Sequence, residues 1–88
     1  MVRRRVVVAG RVEGVFFRDS TRGEATGRGV AGWVANRPDG NVEAVLEGEA
    51  DAVQAVVDWM AVGPEQAAVT GRTVTEEEPE GESGFRVR

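Results

Sequence analysis

Residues 8–18 read VAGRVEGVFFR, a short apolar strand that runs into a loop between two glycines and ends on an arginine. Gly10 and Gly14 allow the backbone to curl so that successive amide groups point into one concavity. A helix that begins near Arg18 adds the positive end of its dipole, and the guanidinium offers paired donors that match phosphate or carboxylate oxygens. The stretch therefore predicts an anion-binding loop, although glycines spaced in this way before an arginine also occur by chance.

The composition limits the chemistry that the chain can perform. Its 88 residues suffice for one domain with one core, and they include no cysteine, histidine, lysine or tyrosine. This inventory excludes a histidine-assisted serine or cysteine nucleophile, a lysine Schiff base and a histidine-ligated zinc. An enzyme built from it must work by positioning and electrostatics, and we predict neither a metal nor a cofactor.

The charge and hydropathy patterns bear on location and partners. A net charge of -4 argues against a general nucleic-acid binder, because such binding depends on a basic surface. The apolar run after the arginines at residues 3–5 is too short for a signal-peptide core, and no window approaches the length of a membrane span. We predict a cytoplasmic protein without nucleic-acid or membrane partners. The acidic run at residues 76–82 is expected to be a solvated loop.

The pattern along the chain predicts the order strand, helix, strand, strand, helix, strand. In the second helix Val53, Val56 and Met60 recur at helical spacing, and Gly63 and Pro64 then end it. The predicted strands cover residues 6–10, 30–36, 42–47 and 69–75, with a short terminal strand at 85–88, and the predicted helices cover residues 19–29 and 50–62.

The first helix is the less regular of the two. Thr21 and Glu24 have the spacing of a capping box at a helix N-terminus. Gly23 and Gly27 each cost a helix about 1 kcal/mol relative to alanine. Because four residues separate them, they share one face, and we expect that face to lie close against a sheet.

This element order predicts an α+β fold of the ferredoxin-like type, in which residues 1–88 form one domain. The sheet is antiparallel and both helices cover one face. Residues 37–40 (RPDG) form the tight turn of the central hairpin. In this topology the first two strands run in the same direction, so Arg18 and Asn36 are expected at one edge of the sheet.

The segment GWVANRPDGNVE at residues 32–43 places Asn36 at the end of a strand. Its side chain both donates and accepts hydrogen bonds, so it can hold a water molecule beside an electrophile. The commoner fate of such an asparagine is a hydrogen bond to its own turn backbone. Phe16 and Trp33 are expected by default to be core or sheet-face aromatics.

Both segments resemble the acylphosphatase family. Residues 10–18 match its loop signature, and residues 32–42 with Gly48 match its second signature. The resemblance implies hydrolysis of an acyl phosphate to a carboxylate and inorganic phosphate. We expect a monomer, although the sequence leaves the oligomeric state open. The resemblance also implies that Arg18 binds the phosphate, that Asn36 positions the water, and that the loop binding the substrate consists of Gly14, Val15, Phe16, Phe17 and Arg18.

One position departs from the family pattern, because Glu13 stands where the family usually has glutamine. A carboxylate that points toward a phosphate dianion would oppose binding. We therefore expect Glu13 to turn away and pair with an arginine such as Arg11, and the alternative is that it acts as a base.

Two other functions remain open from the sequence. A non-catalytic ferredoxin-like module could bind a small anion or an RNA segment, although the aromatic-basic motif of RNA-recognition sheets is absent. The chain could also be an acylphosphatase-like domain of the kind fused to carbamoyl-transfer maturation factors, although 88 residues leave no room for the partner domains. Release of phosphate from a simple acyl phosphate separates an enzyme from a binding module.

Overall fold

The computed structural model describes all residues, 1–88, as one five-stranded sheet with two helices. The elements are β1 (Val2–Arg11), α1 (Phe17–Gly27), β2 (Ala31–Asn36), β3 (Val42–Gly48), α2 (Ala50–Met60), β4 (Ala68–Glu77) and β5 (Phe85–Val87). The strand order is β4-β1-β3-β2-β5. Neighbouring strands are antiparallel except β2 and β5, which are parallel.

This architecture confirms the predicted ferredoxin-like fold, and the short C-terminal strand adds a parallel edge to it. Strands β1 and β2 each pair antiparallel with β3, so they run in the same direction with β3 between them. The end of β1 and the end of β2 therefore lie at the same edge of the sheet, as the topology predicts. Neither helix is long and apolar enough to cross a membrane.

The core lies between the helices and one face of the sheet. Alternate strand residues point into it because side chains change face at every step along a strand. Val6 and Val8 of β1 are fully buried there, as are Val42, Ala44 and Leu46 of β3. The helices contribute Phe17, Thr21 and Ala25 from α1 and Val53, Val56, Val57 and Met60 from α2.

Helix α1 begins at Phe17, two residues earlier than predicted. Thr21 therefore lies inside the helix, where its hydroxyl donates to the Phe17 carbonyl at 2.8 Å, and the predicted capping box is wrong. The Phe17 ring fixes this end of the helix, with its centroid 5.6 Å from that of Trp59. A β-carbon at Gly63 would lie 2.4 Å from the same ring, so Gly63 makes room for Phe17.

The close approach predicted for Gly23 and Gly27 is also wrong. Both glycines are exposed, and a β-carbon added at either would meet no atom within 4 Å. The buried stripe of α1 consists instead of Phe17, Thr21 and Ala25. The two glycines lower the stability of the helix without a compensating contact.

We expect Gly23→Ala to raise the free energy of unfolding by about 0.5–1 kcal/mol, because alanine restricts the unfolded chain and fits the exposed helix. Urea denaturation measures the change. Gly63→Ala is the matched control, since it should destabilise the protein through its contact with the Phe17 ring and its φ of 73°. A destabilised Gly23→Ala variant would contradict this prediction.

The acidic run forms the solvated loop predicted for residues 76–82 only in part: residues 78–82 lie outside the strands, and Glu78 and Glu80 are exposed. Its first part continues β4, where Glu77 lies opposite Arg3 of β1. Arg3 is 3% exposed, and it donates to Glu77 at 2.9 Å and to both Glu47 and Glu82 at 3.0 Å. We call Arg3, Glu47, Glu77 and Glu82 the ion cluster; it lies on the sheet face opposite the helices.

Glu47 is the centre of the ion cluster and is 1% exposed. Its Oε1 accepts from the backbone amides of Gly81 and Glu82, and its Oε2 accepts from that of Glu80 as well as from Arg3. The Glu80 amide, together with Arg3 and the other two amides, lowers the pKa of Glu47 to about 2 against the opposing effect of burial. The carboxylate thus fastens the chain between β4 and β5 to the sheet.

Candidate active site

A cleft of about 320 Å³ opens at the edge of the sheet where β1 and β2 end. The structure brings the predicted residues Arg18 and Asn36 together in its wall. It also places there three residues that the sequence analysis did not identify. The eight lining residues are Val12, Gly14, Phe16, Phe17, Arg18, Asp19, Asn36 and Val87.

The loop at residues 14–18, which we call the cradle loop, has two left-handed residues. Gly14 has a φ of 73°, and Phe16 has φ and ψ of 62° and 24°. The alternation of left-handed and other residues turns successive amides toward one side of the backbone, an arrangement that suits an anion. The sequence predicts this geometry at Gly14 but contains no signal for it at Phe16. The Phe16 side chain is 74% exposed, so the core or sheet-face position expected for it is wrong.

The amides of this segment are free. The first helical hydrogen bond of α1 runs from the Ser20 amide to the Phe16 carbonyl at 3.0 Å, so the amides of Phe17, Arg18 and Asp19 have no acceptor within the helix. No side chain caps the helix, and the amides of residues 14–16 donate to no other protein group. The cradle loop and the start of α1 therefore present unused donors at the cleft.

Gly10 lies outside the cradle loop, and Val15 contributes to this loop through its backbone alone. Gly10 lies within β1, where a β-carbon would be 2.2 Å from the Ala68 carbonyl of β4, and the strand register shifts at that point. Its positive φ thus serves strand pairing rather than the anion loop. Val15 is 5% exposed and belongs to the core cluster, so its side chain anchors the cradle loop from beneath and does not line the cleft.

Arg18 is held by the last residues of the chain. Its Nη1 donates to the Arg88 carbonyl at 2.9 Å. Arg88 is fixed in turn, because its amide donates to the Val34 carbonyl at 2.8 Å and its guanidinium lies 4.5 Å from the Trp33 ring centroid. This support for Arg18 depends on contacts between segments far apart in the chain, and no local pattern in the sequence indicates it.

Asn36 ends β2 with an exposed side chain that makes no hydrogen bond within the protein. The alternative in which Asn36 bonds its own turn is therefore wrong. Asp39 stabilises the turn instead, since its Oδ1 accepts from the Asn41 amide at 3.0 Å and Arg37 donates to the same carboxylate. The side-chain amide of Asn36 is therefore free to bind a ligand or water at the cleft.

The segment from the end of β1 to the start of α1 contains two acidic residues, Glu13 and Asp19. Glu13 is exposed, and neither it nor Arg11 forms an ion pair, so the predicted pairing is wrong. Asp19 lines the cleft from the first turn of α1, where a carboxylate is favoured by the helix dipole. The cleft therefore combines one arginine, one amide side chain and free backbone donors with a single carboxylate.

A ferredoxin-like sandwich with an arginine and free amides at one sheet edge defines a class of small α+β proteins equipped to bind an oxyanion. The family model described as acylphosphatase matches residues 4–87. The chain belongs to the acylphosphatase family. Its reaction is the hydrolysis of acyl phosphates to a carboxylate and inorganic phosphate.

Individual relatives agree with this assignment. The chain is 59% identical over 85 residues to an acylphosphatase of Rubrobacter xylanophilus, covering 96% of this chain and 77% of the relative. It is 52% identical to an acylphosphatase of Gloeobacter violaceus, covering 98% and 92%. The crystal structure of an acylphosphatase from Bacillus subtilis superimposes with a TM-score of 0.96 at 42% identity, covering 100% of this chain and 99% of that one.

Proposed function

We propose that the cleft hydrolyses acyl phosphates by metal-free attack of water on phosphorus. In this mechanism the cradle loop and Arg18 bind the phosphoryl group, and Asn36 positions the water. The observation that carries the proposal is the meeting of Arg18, the free amides and the unpaired Asn36 side chain in one cleft. Neither a protein nucleophile nor a cofactor takes part.

The substrate itself makes this simple machinery sufficient. An acyl phosphate is an activated anhydride, so its carboxylate leaves readily and catalysis consists of orientation and charge stabilisation. Arg18 supplies a planar pair of donors to the phosphoryl oxygens. The backbone amides add dipoles that are already aligned and need no rearrangement as charge shifts during the reaction.

The attack of water on phosphorus conserves both charge and protons. The water oxygen bonds to phosphorus while the bond from phosphorus to the bridging oxygen breaks, and the carboxylate leaves with that electron pair. The chain contains no histidine to act as a base, so a phosphoryl oxygen takes the water proton. An acyl phosphate dianion and water thus give one carboxylate and one dihydrogen phosphate.

We expect Asn36→Ala to lower kcat about 100-fold while the inhibition constant of inorganic phosphate changes less than about twofold. Asn36 ends β2, which β3 separates from β1, and the backbones of β1 and β2 are therefore about 9–10 Å apart. The longer arginine side chain reaches across this gap to the phosphate, and the shorter side-chain amide of Asn36 faces the water. Steady-state kinetics with acetyl phosphate and phosphate as inhibitor measure both quantities.

Asn41→Ala is the matched control, because Asn41 lies across the same turn, and it does not line the cleft. It should retain the activity of the unsubstituted protein. A phosphate inhibition constant that rises in step with the loss of turnover in Asn36→Ala would make Asn36 a binding residue instead.

We further propose that residues 1–88 act as one domain and as a monomer, with a small acyl phosphate as substrate. The continuous sheet from Val2 to Val87 supports the single domain. The absence of a nucleic-acid partner and the cytoplasmic location stay predictions from the sequence.

A further inference from the structure

The outer edge of β4 is the longer of the two edges at which the sheet ends. β4 has ten residues, whereas β5 at the opposite edge has three. Nearly all of β4 is exposed, and no turn or loop supplies a hydrogen bond to its outer backbone groups. Proteins commonly guard such an edge with proline or lysine, and β4 contains neither. This edge is therefore accessible to a further strand.

The regular part of β4 has a defined midpoint. Its pairing with β1 shifts register next to Gly71, and from Gly71 to Glu77 the pairing is continuous. We call residues 71–77 the β4 edge segment. Val74 lies midway between its two ends. A second, antiparallel copy that uses the whole β4 edge segment therefore pairs Val74 of one chain with Val74 of the other.

This register also matches the charges along the segment. Arg72 lies opposite Glu76 of the second copy on either side of the central Val74, and Thr73 lies opposite Thr75. Opposite charges, threonine pairs and apolar pairs all stabilise antiparallel strands when they face each other directly. A register centred on Arg72 or on Glu76 instead places like charges opposite each other. A register centred on Thr73 or on Thr75 brings Val74 opposite a charged residue.

The side chains that this pairing needs are accessible. Val74 pairs with a core valine of β1, so it faces the helix side of the sheet, yet it is 40% exposed. Arg72 and Glu76 lie on the same face, because side chains alternate along a strand. Arg72 is exposed although its Nη1 donates to the Val57 carbonyl at 2.8 Å, and Glu76 is 75% exposed beside Arg4.

We infer that the β4 edge segment binds a second copy of this chain, antiparallel and centred on Val74, to form a symmetric dimer with one continuous sheet. The two-fold pairing uses β4 of both copies and leaves only the short β5 edges, so assembly stops at two chains.

The dimer is expected to be weak and reversible. One strand from each copy makes a small interface compared with the roughly 1,200–2,000 Å² buried in stable complexes. No residue of β4 lines the cleft, so each chain keeps its complete cleft in either state. The single chain therefore stays the catalytic unit of the proposed function.

Two charge reversals test this dimer. Arg72→Glu and Glu76→Arg each place like charges opposite each other, so each variant alone should self-associate about tenfold more weakly than the unsubstituted protein. An equimolar mixture of the two variants restores opposite charges at both pairs, and it should associate as strongly as the unsubstituted protein. Sedimentation equilibrium from micromolar to millimolar protein concentration measures the association.

Arg22→Glu is the matched control, because it makes the same charge change on α1, away from β4, and it should associate normally. Circular dichroism verifies that the variants are folded, since Arg72→Glu also removes the hydrogen bond to the Val57 carbonyl. Val74→Lys keeps that hydrogen bond and places two ammonium groups at the centre of the pairing, so it should stay monomeric.

Three results would overturn the inference. An unsubstituted protein that stays monomeric at every concentration would leave the β4 edge to a strand of another protein. Equal association of Arg72→Glu, Glu76→Arg and the unsubstituted protein would mean that the dimer uses a different face. A mixture that associates no more strongly than its two components would rule out the register centred on Val74.

Discussion

Arg18→Ala is expected to lower kcat/KM for acetyl phosphate by roughly 100- to 1,000-fold and to leave the fold intact. Removal of one preorganised donor to the transition state costs on the order of 3–4 kcal/mol in activation free energy. The folded state loses only the hydrogen bond to the Arg88 carbonyl, worth about 1 kcal/mol. Phosphate release and circular dichroism measure the two effects.

Two variants sharpen this prediction. Arg18→Lys should also be severely impaired, because an ammonium group cannot reproduce the planar pair of donors. Arg22→Ala is the matched control, since Arg22 is an exposed arginine one turn further along α1, and it does not line the cleft. A folded Arg18→Ala variant with nearly full turnover would disprove the role of Arg18.

Glu47→Gln is expected to lower the free energy of unfolding by about 2–3 kcal/mol, although it changes a single atom. Each carboxylate oxygen accepts from two donors, and the glutamine nitrogen can only donate. Two donors therefore lose their acceptor whichever way the amide is turned. Chemical denaturation at neutral pH measures the loss.

Glu76→Gln is the control for this change. The Glu76 side chain is 75% exposed and pairs with Arg4 at 3.5 Å, and exposed pairs of this kind contribute less than about 1 kcal/mol. The free energy of unfolding of the Glu76→Gln variant should stay close to that of the unsubstituted protein. If Glu47→Gln and Glu76→Gln lowered the free energy of unfolding equally, the ion cluster would stabilise the protein no more than an exposed ion pair does.

The ion cluster also predicts how stability depends on pH. Because folding lowers the pKa of Glu47 from 4.5 to about 2, its contribution is complete above pH 4.5 and disappears as the pH falls toward 2. Glu77 acts in the same direction, because hydrogen bonds from Arg5 and Arg3 lower its pKa. Glu47→Gln should flatten this acid-induced loss, as measured by denaturation between pH 5 and pH 2.

Local patterns predicted most of the fold. The spacing of Val53, Val56 and Met60 was sufficient to predict α2, because a helix with one apolar stripe turns that stripe toward the core. The element order then determined the directions of β1 and β2, and this placed Arg18 and Asn36 at one edge of the sheet. These predictions succeeded because they depend on sequence periodicity and chain topology.

The errors concern features that depend on distant partners. The acidic run has the composition of a solvated loop, but its partner Arg3 lies 74 residues from Glu77 in the sequence. Phe16 and Phe17 are identical side chains at adjacent positions, and the space left by Gly63 admits only the second to the core. Gly23 and Gly27 share a helix face as predicted, but the larger Phe17 and Ala25 turn the opposite face to the sheet.

Release of inorganic phosphate from acetyl phosphate tests the proposed reaction most directly, with a phosphate monoester as the control substrate and a chelator present throughout. The proposed mechanism predicts rapid release from acetyl phosphate, no release from the monoester, and no effect of the chelator. No release from any acyl phosphate would instead favour an anion-binding module. Activity that the chelator abolishes and a divalent ion restores would contradict metal-free attack of water.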